Sequence, residues 1–178
     1  MVEIKKNLIH IAQGQFRVTG AANDVLITVL GSCVAVCLHD PLCRIGGMNH
    51  FLLPGSDPAT GRNIKYGAHS LEQLVNAMLQ AGAHHCRLEA HVFGGASMVK
   101  GLGKIGECNA NFALDFIRQE GFVLRSEDTG GHSGRRLCFR PVAGEIQVEM
   151  LDPTSKDIQQ GENPERQAPM PKSSFELF

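Results

Sequence analysis

Three apolar runs packed close together constrain this chain more than any other feature. They lie in and just before "TVLGSCVAVCLHDPLCRIGGMNHFLLPG", residues 28–55. Residues 25–30, 34–38 and 45–53 are rich in β-branched and aliphatic side chains, so each reads as a strand. The first two are joined only by Gly31, Ser32 and Cys33. A glycine there lets the backbone turn sharply and approach a neighbour closely. Such a turn can present a thiol at the end of a strand, where a histidine from a nearby strand could reach it. His50, within the third run, is placed to do so.

The chain has 178 residues, enough for one domain with a substantial core. Its 17 basic and 18 acidic residues leave a net charge of −1, which argues against non-specific nucleic-acid binding. No apolar run approaches the roughly 20 residues that span a bilayer, so membrane insertion is not expected. The opening "MVEIKKNLIHIAQGQF" has lysines but no long apolar core after them, unlike a secretory signal. A cytoplasmic location follows as the default expectation. The six cysteines (33, 37, 43, 86, 108 and 138) are then expected as reduced thiols. None is spaced Cys-x-x-Cys, and His84, His85 and Cys86 are chain neighbours that cannot easily share one tetrahedral ion. No metal site is therefore expected.

The rest of the chain reads as a strand-rich, layered α/β (α+β) single-domain sandwich with two main helices. Residues 1–20 suggest an opening strand and a turn, and residues 54–70 a loop dense in Gly, Pro, Ser and Asp. Leu71, Leu74, Val75, Met78 and Leu79 recur at helical spacing, with Ser70 and Gln73 as a capping box and Gly82 as the stop. A strand is expected at 88–93 and a second helix at 109–120, with Phe112, Ala113, Phe116 and Ile117 as its apolar face and Gly121 closing it. Further strands are expected at 122–127, 136–141 and 145–151, the last two joined by a hairpin turn at Ala143 and Gly144. The catalytic domain is assigned to residues 1–151. Residues 152–178 are polar, carry four prolines, and read as a loosely ordered tail.

Cys33 is the strongest candidate nucleophile. A thiol with its ordinary pKa, about 8.5, needs a base or a positive partner to become a good one. His50 can supply either. Backbone N–H groups of residues 31–34, those of Ser32 and Cys33 among them, could hold an oxyanion. Thr28 is the nearest hydroxyl on the preceding strand and a candidate third member. The remaining cysteines read as packing residues. His132, in "GGHSGR", is the chief rival to His50, because a glycine-rich loop can line a pocket.

Five motifs occur together and in order: "LGSCVAVCLHD", "GGMNHFLLP", "VFGGASM", "IGECNANF" and "DTGGHSGRRLCF". Taken together they resemble the CheD family, the chemoreceptor glutamine deamidases of bacterial and archaeal chemotaxis. The resemblance covers residues 25–150. It implies deamidation of selected glutamines on methyl-accepting chemotaxis proteins, with a catalytic cysteine at Cys33 and histidine at His50. The family's threonine lies just upstream of the cysteine. Thr28 is the match, but a register one residue further away would place Ile27 there. An α/β sandwich similar to papain-like hydrolases and to a deamidating bacterial toxin is also implied, as is a CheC-type phosphatase as a partner. No cofactor is implied.

A receptor helix as substrate calls for an open site. Gly94, Gly95, Gly130, Gly131 and His132, from "GGASM" and "GGHSG", are candidates for its rim. In the tail, Phe175, Leu177 and Phe178 could dock on a partner or on the domain. Three alternatives remain at this point. The same pair could hydrolyse receptor methyl esters. The chain could be a non-catalytic adaptor for receptors or a phosphatase. Or Cys33 could act as a redox sensor with Cys37 or Cys43.

Overall fold

The computed structural model describes residues 6–53, 62–98 and 104–152. Among them are nine strands and two α-helices. The strands are β1 (Asn7–His10), β2 (Phe16–Thr19), β3 (Asp24–Leu30), β4 (Val34–Asp40), β5 (Ile45–Phe51), β6 (Glu89–Gly94), β7 (Val123–Thr129), β8 (Gly134–Arg140) and β9 (Glu145–Leu151). The helices are α1 (Arg62–Gln80) and α2 (Ile105–Glu120).

The run that forms β4 is apolar without alternation because both of its faces are covered. Successive side chains on a strand point to opposite faces. Val34, Val36 and Leu38 join a core built with Leu71, Leu74, Val75 and Met78 of α1 and Ala110, Ala113 and Ile117 of α2. Ala35 and Cys37, with Cys33 just before them, join a second core made with Met48, Phe93, Leu26, Leu30, Leu137 and Phe139. The result is three layers: a four-stranded sheet in the order β1-β3-β8-β9, a five-stranded sheet in the order β2-β5-β4-β6-β7, and the two helices. Each fully buried Leu or Phe in these cores contributes about 1.5–3 kcal/mol.

Both sheets are mixed. β1 runs parallel to β3, and β6 parallel to β7, with α2 as the crossover in the second case. The remaining pairs are antiparallel, including the β4–β5 hairpin in which Ala35 lies opposite His50. The strand expectations for residues 25–53 and 88–151 are met within a few residues. Four details differ, one being that α2 begins at Ile105 rather than at 109. The opening segment is two strands that belong to different sheets. Helix α1 starts at Arg62, inside the segment expected as loop. Ser70 is therefore a mid-helix residue and no cap; its Oγ accepts a hydrogen bond from Asn49 Nδ2 at 3.2 Å. Residues 153–178, and with them the expectations for the tail, lie outside the described residues.

The far end of the β4–β5 hairpin is tied down by charge. The Asp40 side chain is fully buried and accepts Arg87 Nη2 at 2.8 Å and the His84 backbone N–H at 2.8 Å. The Leu42 and Cys43 N–H groups add bonds at 3.0 and 3.2 Å. Burial alone would raise this carboxyl, but Arg87 and the three backbone donors outweigh it and hold Asp40 well below the usual carboxylate range. A carboxyl depressed in the folded state stabilises the protein above its unfolded pKa, and that stability is lost as pH falls through the folded value. Urea unfolding of wild type should therefore show a midpoint that declines as pH falls below about 4, with Asp40→Asn less stable at pH 7 and flatter in that range. Equal acid slopes would show that Asp40 does not supply this dependence.

Candidate active site

Cys33 occupies the turn between the two sheets, one residue before β4, and is 2% exposed. On β5, His50 pairs with Ala35, so it shares the inter-sheet face with Ala35 and, two residues back, Cys33. Diagonal positions of this kind are neighbours on one face of a sheet, about 7–8 Å apart. Thr28 comes from the opposite sheet, on β3. Its Oγ1 lies 2.9 Å from His50 Nδ1, so Thr28 rather than Ile27 meets the histidine.

The backbone carbonyl of Ile11 completes this arrangement. It lies 2.8 Å from Thr28 Oγ1 and 3.2 Å from His50 Nδ1. A carbonyl only accepts, so the Thr28 hydroxyl donates to it, leaving the Thr28 oxygen to accept from Nδ1. The proton of a neutral His50 is thus assigned to Nδ1 by its bonding partners. That leaves a lone pair on Nε2, which is buried and has no hydrogen-bond partner among the described residues. Burial pushes the His50 imidazole down to about 4, against the opposing pull of the Ile11 carbonyl. The ring is therefore neutral at pH 7, a base rather than a standing cation.

The loop between β1 and β2 encloses His50. Gly14 N donates to the His50 carbonyl at 2.7 Å, and His50 N donates to the Gln15 carbonyl at 3.0 Å. Gly14 takes a φ of +83°, which favours glycine. Just before Gly14, the exposed Gln13 reaches Cys33, whose thiol donates to Gln13 Oε1 at 3.2 Å.

The turn that carries Cys33 is held from the helix side. The Gly31 carbonyl accepts Ala96 N at 2.9 Å, and the Cys33 carbonyl accepts Gly95 N at 2.8 Å. The Ser32 carbonyl accepts Asn109 Nδ2 at 2.9 Å. Asn109 is fully buried on α2, and its Oδ1 also accepts Leu53 N at 3.0 Å. One side chain thus fixes both the thiol's turn and the chain just beyond His50. Gly94 has a φ of +109°, and a Cβ on it would lie 2.2 Å from the Cys33 carbonyl oxygen. Only glycine lets β6 pack this closely on the turn.

Four of the five expected rim residues, Gly95, Gly130, Gly131 and His132, line a cavity of about 280 Å³ together with Ser97, Lys104, Gly106 and Glu107. Gly94 lies beneath, against the thiol's turn. His132 is exposed, with Nδ1 3.2 Å from the Ser97 carbonyl oxygen. The structure thus gathers Cys33, His50 and Thr28 at the inter-sheet face and sets His132 in the neighbouring loop cavity.

Three participants were missed from sequence: the Ile11 carbonyl, Gln13 and Asn109. A main-chain carbonyl carries no residue-type signal, and Gln13 sits in an unremarkable polar loop. Asn109 did leave a trace, since it falls four residues before Ala113 on the apolar stripe of α2, where a buried polar side chain needs partners. Asn109→Ala would remove a donor to the Ser32 carbonyl and the side-chain acceptor of the Leu53 N–H. It should lower unfolding free energy by about 2–4 kcal/mol in urea titration and reduce whatever activity Cys33 supports. A loss below about 0.5 kcal/mol would show that water replaces the side chain without cost.

A family model described as CheD chemotactic sensory transduction matches residues 52–150. A Jannaschia sp. (strain CCS1) protein named probable chemoreceptor glutamine deamidase CheD is 46% identical over 145 residues, 82% of this chain and 83% of that one. A Rhizobium etli (strain CIAT 652) protein of the same name is 50% identical over 139 residues, 76% of each chain. Among solved structures, a Neisseria meningitidis protein of the family DUF152 matches with a TM-score of 0.47 at 12% identity, covering 71% of this chain and 64% of that one. The extent and identity of the sequence matches settle the family: the chain belongs to the CheD family.

Proposed function

We propose that this protein deamidates glutamine side chains on methyl-accepting chemotaxis receptors, using Cys33 as nucleophile, His50 as acid and base, and Thr28 to orient the ring. The observation that carries this is the hydrogen bonding of His50. Its Nδ1 is engaged by Thr28 and Ile11, and its Nε2 is buried without a hydrogen-bond partner among the described residues, on a ring whose strand position shares the inter-sheet face with Cys33.

The thiol proton passes to His50 Nε2, and the sulfur electron pair forms a bond to the amide carbon of the substrate glutamine. The carbonyl π electrons move onto oxygen, where the backbone N–H groups of Ser32 and Cys33 receive the charge. His50 returns the proton to nitrogen as the C–N bond breaks, releasing ammonia and leaving a thioester. Water, deprotonated by the same Nε2, cleaves the thioester to glutamate and restores the thiol. Every step uses protein groups and water, the logic also used by serine and papain-like hydrolases. Each event adds one negative charge to a receptor helix bundle. Exposed like-charge pairs are worth tenths of a kcal/mol, a scale that can bias a balanced signalling equilibrium.

This activity would take place in the cytoplasm, on the cytoplasmic part of the receptor. Gly95, Gly130, Gly131 and His132 would form the rim over which a receptor helix lies. A CheC-type phosphatase is the proposed regulatory partner and would compete for the same face. Methyl-ester hydrolysis by the same pair would follow the same steps and is separated only by comparing substrates. The geometry speaks against a Cys33–Cys37 redox pair: four residues along a strand span about 13 Å, whereas disulfide Cα atoms lie within about 7 Å.

The test is mass spectrometry of a receptor cytoplasmic fragment incubated with the protein. Wild type should add about one dalton, the difference between –NH₂ and –OH, at specific glutamines. Cys33→Ala and His50→Ala should abolish the gain, and Thr28→Val should slow it by roughly 10²-fold. A gain that survives Cys33→Ala would overturn the choice of nucleophile. No gain from wild type that binds the fragment would leave an adaptor.

A further inference from the structure

We infer that Gln13 is a further catalytic residue: its side-chain amide is an oxyanion-hole donor that turns toward Cys33 when the thiol loses its proton. The inference rests on the deamidation chemistry proposed above and adds a group to it.

The starting observation is a contact at the reacting atom. Gln13 Oε1 lies 3.2 Å from Cys33 Sγ, with the thiol as donor. The Nε2 of His50 meanwhile has no hydrogen-bond partner among the described residues. The resting thiol is therefore hydrogen-bonded to Gln13 and not to the base. A thiol can donate, but a thiolate can only accept. Once the proton passes to His50 Nε2, a carbonyl oxygen facing the sulfur becomes repulsive. A half-turn of the terminal carboxamide exchanges Oε1 for the Nε2 amino group, which donates to the thiolate.

The same donor is then positioned for the next charge to appear. The attacking sulfur and the developing oxyanion are bonded to one carbon. A donor in contact with the sulfur is therefore within reach of that oxygen. Donors near developing charge are worth most when little has to move, and here only the terminal carboxamide turns. Here the main chain on both sides of Gln13 is fixed. Ile11 N donates to the Ile27 carbonyl at 2.8 Å, Gly14 N to the His50 carbonyl at 2.7 Å, and Gln15 N to the Ala12 carbonyl at 2.9 Å. The loop that orients the His50 ring through the Ile11 carbonyl thus also delivers Gln13 to the sulfur. Gln13 is exposed while Cys33 is buried, so the donor stands on the side from which a substrate amide must come. The roles divide cleanly: backbone N–H groups of the turn hold one side of the oxyanion and the Gln13 amide the other.

Two variants and two readouts test this. Gln13→Ala removes the donor. Gln13→Glu keeps the shape, cannot donate when ionised, and sets a negative charge beside the sulfur. Turnover of a receptor fragment is one readout. The other is the pH dependence of Cys33 alkylation by iodoacetamide, followed on the Cys33 peptide, which needs no deamidase activity. Gln13→Ala is expected to lower turnover by roughly 10²-fold. It should also raise the alkylation midpoint by about one pH unit, because the thiolate loses a donor. Gln13→Glu should raise the midpoint further. An unchanged midpoint and turnover, with a faster alkylation plateau, would overturn the inference and make Gln13 only a cover for the thiol. If wild type fails to deamidate while Gln13→Ala still shifts the midpoint, the deamidase proposal falls and the thiolate contact stands. If wild type deamidates and Gln13→Ala changes neither readout, only the role of Gln13 falls.

Discussion

One hydrogen-bonded junction between the two sheets underlies the whole site. Thr28 of one sheet, His50 of the other and the carbonyl of Ile11 meet within 2.8–3.2 Å of one another. The junction is buried between the layers, with Thr28 at 4% and His50 at 2% exposure. Burial keeps the imidazole neutral, and the junction decides which nitrogen carries its proton. Without Thr28 and Ile11 the same burial would still give a neutral ring, but with no preference for a lone pair on Nε2.

Cys33 is positioned by a different set of contacts. Carbonyls of residues 31, 32 and 33 are each taken by a donor from the β6–α2 side. Gly94 admits that side to within van der Waals contact of the turn, and Asn109 spans from the turn to Leu53. His50 and Cys33 therefore sit on separate supports that meet at one face of the central sheet. The β4 strand carries both requirements, since it packs large side chains toward the helices and small ones, Ala35 and Cys37, toward His50 and its surroundings.

Much of this was legible in the residues and some was not. The apolar run of β4 announced a strand, though not that both of its faces are covered, and the Gly31-Ser32-Cys33 turn announced a presented thiol. Thr28 could be named but its register against Ile27 needed the fold, because a one-residue shift exchanges the two faces of a strand. The start of α1 was hidden because Gly67 and its polar neighbours resemble loop. Gly67 is there for packing: a Cβ would lie 2.6 Å from both Leu53 and Phe112. Ile11 and Gln13 act through a main-chain carbonyl and an exposed amide, and neither leaves a periodic pattern in the sequence.

The most direct test of the central claim is the protonation of His50, read by ¹⁵N NMR of histidine-labelled protein, with His50→Gln to assign its signals. The expected result is a protonated Nδ1 and an unprotonated Nε2 throughout pH 5.5–8, given an imidazole held near 4. A proton on Nε2, or a ring carrying both protons at pH 7, would contradict it. The first would remove the lone pair that the proposed mechanism uses, and the second would replace general-base activation with a standing thiolate–imidazolium pair.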